Sequence, residues 1–229
     1  MNLKHLIKDT PVIGAMIHKF YQKWIKPPKP FINSQQYWNS RYDVGGNSGD
    51  GSYNQLAKFK ADILNKFVES NNIKSVIEYG CGDGNQLTLA QYPSYIGFDV
   101  SPVAISKCRS IFASDSLKTF RIVENYEGEI AELTLSLDVI YHLIEESVFE
   151  DYMTRLFKSS KKFVIIYSSN TDTNKNNQAA HVKHRNFSIW LKNNQPNWHL
   201  IEELSNKYPF KGNTKTGSFS NFYIYEMQE

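Results

Sequence analysis

Three glycines at alternate positions follow a short apolar run, and this pattern restricts the fold of the chain more than any other feature. The run Ser75–Tyr79 is long enough for one buried strand, and Gly80, Gly82 and Gly84 come directly after it. Because glycine has no Cβ, the backbone can turn sharply here and a ligand can approach it closely. The pattern predicts a strand that ends in a ligand-binding turn.

The spacing of these glycines excludes two common phosphate-binding loops. The dinucleotide fingerprint Gly-x-Gly-x-x-Gly needs a third glycine, but Asn85 stands there when the frame starts at Gly80, and Leu87 when it starts at Gly82. The chain also lacks the Gly-x-x-x-x-Gly-Lys-Ser/Thr loop of nucleotide-binding proteins.

Predicted strands alternate with predicted helices after the glycine turn. Further apolar runs predict strands at Tyr95–Asp99, Thr119–Val123, Leu133–Leu137 and Phe163–Tyr167. Trp198–Leu204 and Phe219–Met227 predict two more strands with no helical pattern between them. We therefore predict an α/β fold, a Rossmann-like, doubly wound, seven-stranded and mostly parallel sheet with a C-terminal antiparallel strand pair.

The N-terminal residues have a different character from the rest. Residues 1–30 contain six lysines and one acid, while the whole chain has a net charge of +3, so the remainder is slightly acidic. Apolar residues between Val12 and Ile25 recur at helical spacing, and prolines from Pro27 onward end that helix. We predict an amphipathic arm with a Pro-rich hinge over residues 1–36 and one domain over 37–229. The arm suits peripheral membrane contact, self-association or docking on its own domain.

The composition indicates where the protein is located in the cell and which partners it can bind. Cys81 and Cys108 are too few for a disulfide framework, and no N-terminal run suits a signal peptide or a bilayer span. We expect a cytoplasmic protein, with the inner face of the membrane as the alternative. The slightly acidic body argues against a nucleic-acid partner. No spacing of histidines and acids predicts a metal site.

The glycine loop and its flanking acids resemble those of class I S-adenosylmethionine-dependent methyltransferases. Glu78 opens the segment Glu-x-Gly-x-Gly-x-Gly, and Asp99 ends the next predicted strand. The segment Leu135–Leu143 resembles the fourth-strand region of the same family. The resemblance covers roughly Tyr37 to the C-terminus and implies S-adenosylmethionine as the cofactor.

The resemblance also implies roles for individual residues. The glycines would pack against the methionine part of the cofactor, Glu78 would contact its amino group, and Asp99 would bind the ribose hydroxyls. Trp38 and Arg41 lie in a segment that resembles the one covering the cofactor, and the Arg41 guanidinium suits the cofactor's carboxylate. The complete set of predicted cofactor residues is Trp38, Arg41, Glu78, Gly80, Gly82, Gly84, Asp99, Val100, Ser101 and Ser136.

His142 is the predicted catalytic residue, because it follows the fourth strand at the edge of the sheet where α/β folds bind ligands. Histidine is suited to act as a base or to position an acceptor near neutral pH; the alternative is a packing role. If a helical turn starts at Asp138, that carboxylate would orient the imidazole. We expect the acceptor pocket to contain Tyr141, His181, His184 and Arg185, the alternative for each being a solvated loop.

The acceptor is the least constrained property, because a fold does not fix a substrate. The segment Tyr37–Ala61 resembles methyltransferases associated with bacterial surface-polysaccharide synthesis. We therefore expect O-methylation of a sugar or glycan hydroxyl. The alternatives are another small molecule, a protein side chain, or a binding module that keeps the cofactor without catalysis. Within this segment, the glycine-rich stretch Gly45–Ser52 predicts a mobile lid.

Overall fold

The computed structural model describes residues 30–175 and 178–228. The described residues from Asn33 onward belong to one compact unit. The predicted N-terminal arm lies almost entirely outside the described residues. Among the helices that the structure describes, none is long and apolar enough to cross a membrane.

Seven strands form the described sheet. In chain order they are β1 (Val76–Tyr79), β2 (Tyr95–Asp99), β3 (Lys118–Ile122), β4 (Ala131–Leu137), β5 (Ser160–Ser168), β6 (Trp198–Leu204) and β7 (Asn221–Met227). Their order in the sheet is β3-β2-β1-β4-β5-β7-β6. Pairing is parallel from β3 to β5, whereas β7 is antiparallel to both β5 and β6. The predicted fold class is confirmed.

Five α-helices connect or cover these strands in the described residues. They are α1 (Ser34–Asp43), α2 (Asn54–Ser70), α3 (Pro102–Ile111), α4 (Glu146–Lys158) and α5 (Phe187–Asn194). The side chains of Asn33 and Ser101 cap α1 and α3 by accepting backbone N–H bonds from Gln36 and Ala104.

The helices bury both faces of the sheet. One apolar cluster joins Leu64 of α2 and Ile105 of α3 to Leu135 of β4, and the other joins Met153 of α4 to Ile166 of β5. Residues on both faces of the central strands are therefore apolar, which explains why β1, β4 and β5 were visible as apolar runs. The edge strand β6 differs, because most of its side chains are exposed.

The strand order determines where along the sheet a ligand can bind. From β1, the chain adds β2 and β3 on one side, and then crosses over to add β4 and β5 on the other. Loops leaving the carboxyl ends of β1 and β4 therefore diverge and leave a crevice between them, which is where open α/β sheets bind ligands.

Candidate active site

A cavity of about 530 Å³ lies at the carboxyl ends of β1, β2 and β4. This volume lies within the usual range for a small-molecule site. Several residues predicted from the sequence line it: Trp38, Glu78, Gly80, Gly82, Asp99, Val100 and His142.

The glycine turn forms one wall of the cavity. Gly80, Gly82 and Gly84 have φ angles of 84°, 58° and 79°, in the left-handed region that other residues rarely adopt. A Cβ at Gly80 would lie 2.4 Å from a methyl carbon of Val139, and one at Gly82 would lie 2.2 Å from Ser48 Oγ. Gly84 lies outside the lining, and a Cβ at this position would lie 3.0 Å from Cys108 Sγ on α3.

Asp99 joins the glycine turn to the end of β2. Its carboxylate accepts N–H bonds from Gly82 and Ser101, each 2.9 Å long. Burial raises the pKa of Asp99 to about 6, although these backbone hydrogen bonds act in the opposite direction. The carboxylate keeps lone pairs that can accept hydrogen bonds from a ligand's hydroxyl groups.

Glu78 is a second buried acid in the cavity wall. Its Oε2 accepts a hydrogen bond of 2.7 Å from the Tyr95 hydroxyl. Burial raises the pKa of Glu78 to about 7, and the Tyr95 hydrogen bond and the charge of Lys60 oppose that rise. A cationic group beside Glu78 would favour its charged form, so this position suits a ligand's amino group.

The His142 ring is held in one tautomer. Its Nδ1 lies 2.8 Å from the carbonyl oxygen of His181. A carbonyl can only accept a hydrogen bond, so Nδ1 carries the proton and Nε2 has the free lone pair. Burial lowers the pKa of His142 to about 4, which keeps the ring neutral near pH 7. Trp38 packs against the ring edge-on at 4.9 Å between centroids. Within the described residues, no group hydrogen-bonds Nε2.

Asp138 does not orient His142, which corrects the expectation from the sequence. Its φ angle of 61° is left-handed, so no helical turn starts there. Its Oδ1 accepts hydrogen bonds from the Tyr141 hydroxyl at 2.9 Å and from Ser220 Oγ at 3.0 Å. Its Oδ2 is 2.8 Å from Lys60 Nζ. The His181 carbonyl holds the imidazole instead.

Besides Gly84, three predicted cofactor residues support the site without lining the cavity. Arg41 donates from Nε to the Asn47 carbonyl oxygen at 2.6 Å, so its guanidinium holds the loop after α1. Ser101 caps α3, and Ser136 accepts a hydrogen bond from the Tyr152 hydroxyl at 2.7 Å. Tyr152 itself lines the cavity.

The four predicted acceptor residues also lie outside the lining, which differs from the expectation. Arg185 donates to the carbonyl oxygens of Leu143 and Ile144, so its guanidinium is used within the protein. His184 Nδ1 is 2.6 Å from Ser169 Oγ. Tyr141 binds Asp138, and the His181 ring stacks on Tyr37 at 4.1 Å between centroids. The rings of Tyr141 and His181 lie 4.5 Å and 5.4 Å from the His142 ring between centroids.

α1 and the following loop cover the cavity. We define this cover as Ser34–Ser52; it contributes Ser34, Gln35, Trp38, Tyr42, Ser48 and Ser52 to the lining. At its N-terminal end, Ser34 donates to Glu145 from its backbone N–H at 2.9 Å and from its hydroxyl at 2.6 Å. Gln35 donates to Glu124 Oε1 at 2.7 Å.

The other end of the cover is fastened to the glycine turn by Asp83. The carboxylate of Asp83 accepts hydrogen bonds from the backbone N–H of Ser48 at 3.0 Å and its hydroxyl at 2.8 Å. It also accepts one from the Tyr53 hydroxyl at 2.7 Å. Sequence reasoning missed this role, because Asp83 looks like an ordinary loop residue between two glycines.

Lys60 is a second residue that sequence reasoning missed. It is fully buried on α2 and lines the cavity. A signal for it was present: Lys60 is four residues from both Leu56 and Leu64, so it shares their apolar face. A cation on the buried face of an amphipathic helix needs a partner, and in this protein the partner is Asp138.

Comparisons with known proteins bear on the fold and the family. Residues 70–214 match a family profile described as a methyltransferase domain. The fold resembles N-methyltransferase NodS from Bradyrhizobium japonicum WM9 in complex with S-adenosyl-L-homocysteine, with 13% identity, a TM-score of 0.62, and coverage of 86% of this chain and 100% of that chain. It also resembles magnesium protoporphyrin IX methyltransferase (ChlM) from Synechocystis PCC 6803 with bound SAM, with 14% identity, a TM-score of 0.60, and coverage of 88% and 100%.

A third similar structure is the methyltransferase domain of bacterial CtHen1-C. It shares 17% identity over 76% of this chain and 100% of that chain, with a TM-score of 0.59. Among curated proteins, no sequence matches this chain. At these identities the structural neighbours establish a common fold.

Proposed function

This chain belongs to the methyltransferase domain family and is an S-adenosylmethionine-dependent methyltransferase; on that premise, we propose that its acceptor is a hydroxyl group of a sugar or glycan. The observation that carries this proposal is the state of His142 in the cavity wall. Its Nδ1 proton is committed to the His181 carbonyl, which leaves Nε2 as a proton acceptor. A hydroxyl acceptor, unlike a neutral amine, must lose its proton as the new bond forms.

The residues of the cavity fit the cofactor. The backbone at Gly80 and Gly82 has no room for a Cβ, and the buried acids Glu78 and Asp99 face the same cavity. Gln86 also lines it, and its buried Oε1 has no partner among the described residues, so it can accept an N–H bond. These donor and acceptor types suit an amino acid joined to a nucleoside.

We assign the cofactor contacts accordingly. Glu78 binds the amino group, Asp99 accepts the ribose hydroxyls, and Val100 packs beside the adenine. Trp38, on the cover, lines the cavity beside His142 and would shield the cofactor from solvent. Arg41, Gly84, Ser101 and Ser136 act indirectly, because their contacts shape the loops that hold the lining residues.

The chemistry follows from these positions. When bound, S-adenosylmethionine supplies a methyl group on a positively charged sulfur. His142 would take the proton of a hydroxyl acceptor on Nε2, whose lone pair is free in this tautomer. The cover excludes water, which strengthens each electrostatic contact in the cavity. Trp38 gives an apolar face against which a sugar ring can pack.

We place this reaction in the cytoplasm. The basic sequence of residues 1–36 supports an acceptor carried at the inner membrane face, because lysines attract anionic lipids. Binding of the protein to vesicles of anionic lipid would support this role. No binding would favour the alternatives, an arm that docks on its own domain or one that self-associates.

An amine-bearing small molecule is a second candidate acceptor. Three carboxylates besides Glu78, Asp99 and Asp138 line the cavity, namely Glu124, Glu145 and Asp151. This charge favours a cationic acceptor over an anionic one.

The deciding experiment follows the labelled methyl group of S-adenosylmethionine. Purified protein is incubated with sugars, lipid-linked glycans, amine metabolites and protein fractions from the source cell. The products are hydrolysed and the labelled fragments are identified by mass spectrometry. We expect O-methylated monosaccharides. Label found only on nitrogen, in protein or in nucleic acid would show that the acceptor is wrong, while leaving the methyltransferase assignment in place.

A further inference from the structure

A buried ion pair forms part of the cavity wall. Lys60 Nζ lies 2.8 Å from Asp138 Oδ2, and the Lys60 side chain has no exposed surface to bulk solvent. Nζ also lies 5.3 Å from the centroid of the Tyr167 ring. Both partners of the pair line the cavity. The pair therefore places an ammonium group and a carboxylate group in the cavity wall.

Fold stability alone does not explain this pair. Burying an ammonium group is unfavourable, and well-packed apolar residues often stabilise a core as well as a buried ion pair does. An ammonium has three N–H donors, and Asp138 takes one. In the part of the chain that the structure describes, no other group accepts a hydrogen bond from Nζ. A donor therefore remains for a ligand.

The surroundings of Lys60 identify the part of the ligand that it meets. Glu78 at the end of β1 is paired with Leu135 of the neighbouring strand β4, and Asp138, the partner of Lys60, comes three residues after Leu135. Lys60, Asp138 and Glu78 all line the cavity. The other cation in the described lining, Arg155, lies on α4 beside Tyr152, and its guanidinium carbon is 5.7 Å from the Tyr126 ring centroid. Lys60 is therefore the cation at the Glu78 end of the cavity.

We infer that Lys60 binds the α-carboxylate of S-adenosylmethionine and that Asp138 positions the Lys60 ammonium for this contact. The inference rests on the proposed use of this cofactor and on the position of Glu78 at its amino group. The carboxylate is the one anionic group of the cofactor, and it is attached to the same carbon as the amino group. The Lys60 ammonium, next to the site of the amino group, can therefore reach the carboxylate.

The assignment replaces Arg41, to which the sequence assigned the carboxylate. Arg41 donates to the carbonyl and side-chain oxygens of Asn47 and lies outside the cavity lining. Asp138 keeps Lys60 in place because its own charge is balanced by three donors, from Lys60, Tyr141 and Ser220.

The test combines protein variants with a shortened ligand. Calorimetry measures binding of S-adenosylhomocysteine and of its decarboxylated analogue to the wild type, Lys60→Met and Arg41→Gln. We expect Lys60→Met to weaken S-adenosylhomocysteine about 10- to 100-fold, as expected when a charge-assisted hydrogen bond is lost. Binding of the decarboxylated analogue should change less than about 3-fold. Arg41→Gln should retain the wild-type preference for the carboxylate.

A double variant distinguishes the loss of a ligand contact from a folding defect. Lys60→Met with Asp138→Asn removes both charges and leaves no unpaired buried carboxylate, and it should show the same selective loss. Equal weakening of both ligands, or loss of the carboxylate preference in Arg41→Gln instead, overturns the inference. A wild-type protein that binds neither ligand would instead count against the proposed use of the cofactor.

Discussion

The cavity has two kinds of wall, and they are held in different ways. The inner wall is built on the carboxyl ends of β1, β2 and β4, and its acids Glu78 and Asp99 are buried. The cover Ser34–Ser52 is fastened by side-chain hydrogen bonds at its two ends, chiefly to Glu145 and Asp83. A wall inside the sheet cannot move without disrupting the core, whereas a cover held by a few polar contacts can open.

This difference suggests that the inner wall and the cover have different functions. In the proposed function, the inner wall binds the cofactor and holds the base, and its buried acids reduce the stability of the empty protein. In the same proposal, the cover opens to admit ligands and then closes to exclude water. Changes in the inner wall should therefore alter chemistry, affinity and pH dependence, while changes in the cover should alter exchange and access.

The largest expected effect follows removal of the His142 imidazole. His142→Ala should lower turnover by about 10²–10⁴, because the acceptor proton loses its base, while affinity for S-adenosylhomocysteine stays close to wild type. Steady-state kinetics and calorimetry measure the two quantities. His184→Ala is the matched control, since that ring lies outside the cavity lining. Near wild-type turnover in His142→Ala would exclude the imidazole as the base.

The next effect concerns the ribose contact at Asp99. Asp99→Ala removes the acceptor for two ligand hydroxyls and should weaken cofactor binding by about 1–3 kcal/mol. Asp62→Ala, on the exposed side of α2, is the control and should leave binding unchanged. Calorimetry that gives equal affinities for both variants would contradict the role of Asp99.

Glu78 should make cofactor binding and stability respond to pH in opposite senses. Burial raises the pKa of Glu78 from 4.5 to about 7, so the folded protein binds more protons than the unfolded chain between those values. Stability of the empty protein therefore falls as pH rises through this window, while cofactor affinity rises as the carboxylate becomes charged.

Glu78→Gln tests this opposition. At pH 8 the variant should be more stable than the wild type by about 1–3 kcal/mol in the absence of ligand, with little difference at pH 4. Its affinity for the cofactor should be lower at pH 8. Thermal unfolding at the two pH values measures the first effect, and a pH-independent difference in stability would contradict the explanation.

The smallest effect is expected in the cover. Asp83→Asn weakens the contacts to Ser48 and Tyr53 and should speed hydrogen exchange of the amides in Gly45–Ser52, with a loss of roughly 1 kcal/mol in local stability. Cofactor and acceptor together should slow this exchange in the wild type. Asp50→Asn, in the same loop but bonded to Thr214, is the control. Unchanged exchange in Asp83→Asn, or equal wild-type exchange with and without both ligands, would show that the cover does not open in this way.

The residues of the inner wall were largely predictable from the sequence. A covering segment was also expected near Trp38 and Gly45–Ser52, but the contacts that fasten it were not. Gly80, Gly82 and the acids Glu78 and Asp99 lie at strand ends, so their positions follow from the order of strands and turns. The contacts of the cover join distant parts of the chain: Ser34 and Glu145 are 111 residues apart. No local spacing reports such a pair.

The predicted acceptor residues also show that local sequence does not determine tertiary contacts. Arg185, His184 and Tyr141 follow strands at the correct edge of the sheet, and the sequence therefore favoured them. In the structure their polar atoms bind Leu143, Ser169 and Asp138. The direction of a side chain in a loop depends on its hydrogen-bond partners. The position of a residue at one edge of the sheet does not determine those partners.

The sequence by itself determined the doubly wound sheet, the glycine turn and the two acids beside it, because periodicity and backbone geometry act over a few residues. Only the tertiary structure decided which cation faces the cavity, Lys60 or Arg41, and which tautomer His142 adopts. Both depend on single partners brought together by folding: Asp138 with Lys60, and the His181 carbonyl with His142. A buried charge or ring nitrogen takes its state from the nearest partner in space, which can be far away along the chain.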